Sequence, residues 1–131
     1  MEAIYPAESN HFVGTEAFTA SGSLLLGAFV GEKAVGCVGW VMTSPVEAEV
    51  KRLFVDEDHR SAGLGRALMN ALHARADGSG IAVLRLETGI HQTASIGLYR
   101  SLGYIERGPF GRYTNDPLSL FMERRIQATA S

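Results

Sequence analysis

The 131-residue sequence predicts one α/β domain, and two patterns carry that prediction. The runs 24–30 (LLLGAFV) and 34–42 (AVGCVGWVM) are apolar and flank a short polar break, Gly31-Glu32-Lys33, which reads as a β-hairpin. Between residues 47 and 103 the apolar spacing then alternates from strand to helix to strand to helix. Domains cluster near about 100–150 residues, so one domain spanning 1–131 is expected.

The elements follow in order. After the turn signal Thr43-Ser44-Pro45, the run 47–55 (EAEVKRLFV) is a third strand that meets the polar loop Asp56-Glu57-Asp58. From Leu64 the residues Leu64, Leu68, Ala71 and Leu72 recur at helical spacing, and Asp77-Gly78-Ser79-Gly80 supplies the stop. Residues 82–86 (AVLRL) form a short strand. Ile96, Tyr99 and Leu102 mark one face of a second helix that Gly103 terminates, and 118–122 (LSLFM) is a last strand. The first 22 residues show neither period and read as irregular or briefly helical.

Composition narrows the function classes. A net charge of -2 does not suit a nucleic-acid binder, which needs a basic face to neutralise phosphates. Cys37 is the single cysteine, so no intrachain disulfide forms; with no basic-then-apolar leader, the cytoplasm is the expected compartment. No apolar run approaches the roughly 20 residues that span a bilayer. His11, His59, His73 and His91 lack metal-ligand spacing, so no metal is expected. Cys37 sits mid-strand among apolar residues as a small hydrophobe, which argues against an acyl-cysteine intermediate.

The chemistry concentrates at Arg60-Ser61-Ala62-Gly63-Leu64-Gly65, between a strand and the clearest helix. Positions without side chains let the backbone approach an anion, and the helix behind them offers unpaired amides and the positive end of its dipole. A plain strand-to-helix turn would use glycine in the same way. The Walker pattern is absent because no Gly-Lys-Ser/Thr follows, and the dinucleotide fingerprint fails at Leu68.

Arg60 followed by x-x-Gly63-x-Gly65, with Val55 closing the strand before it, resembles the acyl-CoA motif of the GNAT superfamily. Leu98-Tyr99 and Gly103-Tyr104 extend the resemblance over roughly residues 24–125, and Leu86-Glu87-Thr88-Gly89 with the tail from Gly108-Pro109-Phe110-Gly111 to Phe121-Met122-Glu123 looks like a bacterial subgroup of small-molecule acetyltransferases. It implies a mixed, mostly antiparallel sheet with helices on both faces, splayed between the strand ending at Val55 and the strand 82–86. Acetyl-CoA would lie in that splay, its arm bonded by main chain at Phe54 and Val55. Its pyrophosphate would take the amides from Ser61 through Ala62, Gly63, Leu64 and Gly65 to Arg66, whose side chain adds charge. Where many members carry Asn at the start of the second helix this chain has Gln92, and the usual first strand and long first helix are not evident.

The reaction so implied is direct transfer of acetyl to a primary amine, with a small molecule as acceptor. An alkyl amine has a pKa near 10.4, so a base must take its proton. Glu49 stands six residues before Val55, where several members that acetylate protein lysines place a glutamate base, and it shares strand parity with Val55. Glu87 is the competing carboxylate. Tyr99 occupies the position where members place a tyrosine beside the thioester sulfur, able to lend a proton or hydrogen bond to the thiolate. Glu8, His11 and Tyr113 are expected on the acceptor side, with His91 as a further contact, and an exposed sheet edge favours a homodimer. The rival is a binding module that holds acyl-CoA without turnover.

Overall fold

A computed structural model describes residues 22–60 and 63–126. Six strands form one sheet: β1 (Leu24–Val30), β2 (Lys33–Ser44), β3 (Glu47–Val55), β4 (Val83–Gly89), β5 (Ile105–Arg107) and β6 (Ser119–Arg125). Helix α1 (Leu64–Asp77) joins β3 to β4, α2 (Thr93–Ser101) joins β4 to β5, and a 3-10 turn covers Glu57–His59. The strand order is β1-β2-β3-β4-β6-β5. Only β3 and β4 run parallel, as a helical crossover requires, and the other pairs are antiparallel.

The hairpin, the third strand and both helices fall where the apolar pattern puts them. β4 runs on to Gly89 because Glu87, Thr88 and Gly89 pair with Phe121, Leu120 and Ser119 of β6, which apolar periodicity does not register. β5 is three residues long, too short to leave a pattern, and it is set by pairing with β6. Residues 1–21, where the early polar segment falls, lie outside the described residues.

Leu64, Leu68 and Leu72 of α1 enter the core against Leu26, Val38, Trp40, Val50 and Leu84. Close approach of α1 to the sheet depends on Gly36. A Cβ there would stand 3.0 Å from the Phe54 carbonyl oxygen and 3.1 Å from Leu68 Cδ1. Met69 and Ala76 are fully buried as well, so the buried stripe of α1 is wider than its leucines suggest. Helix α2 comes against α1 where Leu98 meets Gly65.

Two irregularities shape the cleft. Gly39 pairs with Lys51 and Cys37 with Phe54, so β3 spends three residues where β2 spends two: a β-bulge. Separately, β3 pairs with β4 only at Glu47, Ala48 and Glu49, opposite Val83, Leu84 and Arg85. Beyond Glu49 the two strands diverge, and β4 stays with β6 as far as Gly89.

Candidate active site

At the end of β3 the chain makes the 3-10 turn, passes Arg60 and enters α1 at Gly63, whose φ of +79° is left-handed and suits glycine. Helix α1 has no side-chain cap and no acidic residue in its first turn. From Gly63 on, Ala67 is the first amide among the described residues bonded back along the chain, to Gly63 O at 3.0 Å. Among the described residues the amides of Leu64, Gly65 and Arg66 have no backbone partner, which is how a helix start receives an anion. They border a cavity of about 680 Å³ whose other walls include Phe54, Val55, Arg60 and Gln92. Arg60 Nε donates to the Val55 carbonyl at 3.1 Å, and Arg66 Nη2 donates to Ser101 Oγ at 2.9 Å. Ser61 and Ala62, assigned to the same cradle, lie outside the described residues.

The divergence of β3 from β4 opens a second cavity of about 410 Å³, which shares Leu53, Gln92 and Ser95 with the first. Tyr99 lines it from α2, only 7% exposed, and burial pushes its phenol up to about 12. Among the described residues its hydroxyl has no hydrogen-bond partner. Its ring leans on Tyr104 at 5.7 Å, and Tyr104 OH shares a 2.8 Å hydrogen bond with His73 Nε2 of α1. Burial first, then the charge of Arg124, lowers His73 to about 4, so the imidazole is neutral at pH 7.

Glu49 and Glu87 enter the same cavity from the two diverging strands. Equal parity of Glu49 and Val55 does not survive: the bulge adds a residue between them, so Glu49 pairs with Val41 and Val55 with Gly36, on opposite faces of the sheet. Val55 turns toward α1 near Gly65, and Glu49 turns away from α1. Tyr113 O–H donates to Glu49 Oε2 at 2.5 Å, and Lys51 Nζ stands 3.6 Å from the same oxygen. Glu87 accepts from Ser119 Oγ at 2.7 Å. Loss of solvent, then the hydrogen bond and charge of Glu49 and the charge of Glu87, drive the Tyr113 phenol well above its ordinary range.

Glu49, Lys51 and Tyr113 continue into a third cavity of about 710 Å³, bounded by Val41, Glu47, Arg85, Phe110 and Arg112. The tail that carries Tyr113 is fastened by aromatic contacts: Phe110 and Phe121 centroids lie 5.7 Å apart, Tyr113 and Phe121 5.4 Å. Arg85 bridges Glu47 at 3.2 Å and Glu123 at 3.0 Å, and Arg107 joins Glu123 at 2.6 Å. Burial alone would raise the Glu123 carboxyl, yet hydrogen bonds from Arg85 and Arg107 hold it below the usual carboxylate range.

Of the residues singled out in the sequence, Phe54, Val55, Arg60, Gly63, Leu64, Gly65, Arg66 and Gln92 share the first cavity, and Glu49, Glu87, Tyr99 and Tyr113 share the second. His91 is exposed and lines none of the three. Glu8 and His11 lie outside the described residues. Lys51, Arg112 and Ser119 were not anticipated. Strand alternation from Glu49 was signal enough for Lys51, but Arg112 and Ser119 reach the site only through the folding of the tail.

Comparison with known proteins agrees with this fold. The model of the acetyltransferase (GNAT) family matches residues 2–104. An IAA acetyltransferase of Azospirillum brasilense is 41% identical over 124 residues, covering 94% of this chain and 81% of the relative. The crystal structure of an acyl-CoA N-acyltransferase of Klebsiella pneumoniae superposes with a TM-score of 0.76 at 39% identity, over 86% of this chain and 81% of that one. The ribosomal-protein-S18-alanine N-acetyltransferase of Escherichia coli superposes with a TM-score of 0.71 at 26% identity, over 88% and 76%. None of the helices among the described residues is long and apolar enough to cross a membrane. A splayed mixed sheet, an uncapped glycine-led helix start at the splay and the family match over most of the chain together mean that the protein belongs to the GNAT family of acetyl-CoA-dependent N-acetyltransferases.

Proposed function

We propose that the chain transfers acetyl from acetyl-CoA directly to the primary amine of a small molecule, with Glu49 as the base and Tyr99 beside the sulfur. The observation that carries this reading is continuity: the three cavities share residues in series, from the amides of α1 through Tyr99 to Glu49. Pyrophosphate at Leu64, Gly65 and Arg66 leaves the pantetheine arm to follow the unpaired inner edge of β3, which sets the thioester near Tyr99.

The ammonium of the acceptor gives its proton to Glu49, directly or through water. The amine nitrogen attacks the thioester carbon, a backbone N–H near Val55 stabilises the oxyanion, and the C–S bond breaks as the amide forms. Against an ordinary thiol pKa near 8.5, a phenol held near 12 donates a hydrogen bond to the departing thiolate more readily than it surrenders its proton. Solvent completes the protonation of CoA. Glu87, 2.7 Å from Ser119 Oγ, is the other carboxylate placed to serve as base.

The aromatic packing that pins Phe110 and Tyr113 over the outer cavity supports a small acceptor rather than a folded chain. A screen of small amines and N-terminal peptides, read by release of the CoA thiol with mass detection of product, tests it. Acetylation confined to peptides would overturn the small-molecule acceptor. The same reading includes a homodimer formed at the outer edge of β1, supported by that strand's terminal place in the sheet among the described residues. A stable monomer in light scattering at micromolar concentration would remove it.

A further inference from the structure

The two cavities at the acceptor end carry opposite charge. Two carboxylates, Glu49 and Glu87, face one cation, Lys51, in the cavity between β3 and β4, which leaves one negative charge. In the outer cavity three cations, Lys51, Arg85 and Arg112, face two carboxylates, Glu47 and Glu49, which leaves one positive charge. Much of the outer charge is internally balanced: Arg85 is held between Glu47 and Glu123, and Glu123 also binds Arg107. Within the outer cavity Lys51 and Arg112 remain opposite Glu49 alone. Lys51 shares Glu49 at 3.6 Å, and among the described residues Arg112 makes no ion pair and no hydrogen bond.

From this charge separation we propose that the acceptor is an amine that also carries a carboxylate, its ammonium directed to Glu49 and its carboxylate received by Arg112 and Lys51. The inference rests on the amine-acetylating reading above and narrows its substrate to zwitterions. A carboxylate suits the outer cavity for two reasons. It neutralises the single surplus positive charge, and the planar guanidinium of Arg112 offers paired N–H donors that match its two oxygens. The arriving ammonium also competes with Lys51 for Glu49, so Lys51 gains a new anion as it loses the old one. A plain alkyl amine or a polyamine would bring an ammonium to the cavity with nothing to offer Lys51 and Arg112, and a second positive group would meet like charge there.

Matched acceptors test this: glycine, β-alanine, 4-aminobutyrate and lysine, each against its carboxamide. The carboxamide of an α-amino acid is the less basic amine and supplies more neutral nucleophile, so chemistry alone favours the amide and any preference for the acid comes from binding. At least one acid is expected to exceed its amide in kcat/KM by about tenfold or more, the scale of one charge-assisted hydrogen bond. That ratio should collapse toward one in Arg112→Gln and in Lys51→Gln, chiefly through KM. Calorimetric titration of the same pairs into the CoA-loaded protein gives a readout independent of turnover. Selective binding of the acids without turnover would uphold the carboxylate site and sink the amine-acetylation reading. Turnover of amines with no preference for the acids, or a preference that Arg112→Gln leaves unchanged, would overturn the inference and leave that reading standing. Neither binding nor turnover of any pair would overturn both.

Discussion

In the proposed function the groups offered to the cofactor are backbone amides at Leu64, Gly65 and Arg66. At the acceptor end they are side chains: Glu49 and Lys51 from β3, Glu87 from β4, Arg112 and Tyr113 from the tail. An amide cradle needs only a helix start, a left-handed glycine and the absence of a competing cap, all written within a few consecutive residues. A side-chain constellation needs the whole sheet to be in register first. Substitutions at the first end should therefore change affinity for the cofactor and spare the chemistry, while those at the second should do the reverse.

The largest effect expected at the acceptor end comes from Glu49→Gln. Removing a positioned base typically costs about 10²–10⁴-fold in rate, so kcat/KM for the amine should fall by that much. Acetyl-CoA affinity should hold. If Glu87→Gln produces that outcome and Glu49→Gln does not, the base sits on β4.

At the cofactor end Gly65→Val is the cleanest break, because a Cβ there would lie 3.4 Å from Leu98 Cδ2 and the added methyls would project where the amides face a ligand. Loss of two charge-assisted bonds corresponds to about a 100-fold weaker Kd for acetyl-CoA, measurable by calorimetry in a variant whose circular dichroism is unchanged. Gly63→Val adds the cost of forcing a β-branched residue to φ +79°, about 1–2 kcal/mol. Normal affinity in both folded variants would refute the amide cradle.

Tyr99 stands where the two ends meet and sharpens the comparison. As a hydrogen-bond donor to the thiolate it should contribute roughly tenfold to a hundredfold to kcat, seen in Tyr99→Phe with little change in acetyl-CoA affinity. With its phenol near 12, the neutral donor persists through the ordinary working range, so wild-type activity should show no basic decline from this group below about pH 11. A phenylalanine variant of full activity would reduce Tyr99 to packing against Tyr104.

What the sequence disclosed follows the same division. The run from Arg60 to Arg66 is contiguous, and its glycines and the leucines of α1 lie side by side in the chain, so the start of α1 was legible in one reading. Glu49 and Tyr113 are 64 residues apart, and no local pattern announces their hydrogen bond. Parity misplaced Glu49 relative to Val55 because alternation counts residues, whereas the sheet counts partners, and the β3 bulge makes the two counts differ. Lys51, by contrast, was available to simple alternation from Glu49.

Burial of His73, with the charge of Arg124 beside it, ties the molecule's stability to acidity. With a folded pKa near 4 against about 6.5 in the unfolded chain, the native state holds fewer protons than the denatured one across that interval. Stability is then complete above about pH 6.5 and drains away as the pH falls toward 4. Allowing for partial solvent screening, the loss is about 2 kcal/mol, visible as a declining Tm that flattens in His73→Phe. Rates gathered in that interval report the folded fraction as well as the chemistry, unless each is divided by a stability measured at the same pH.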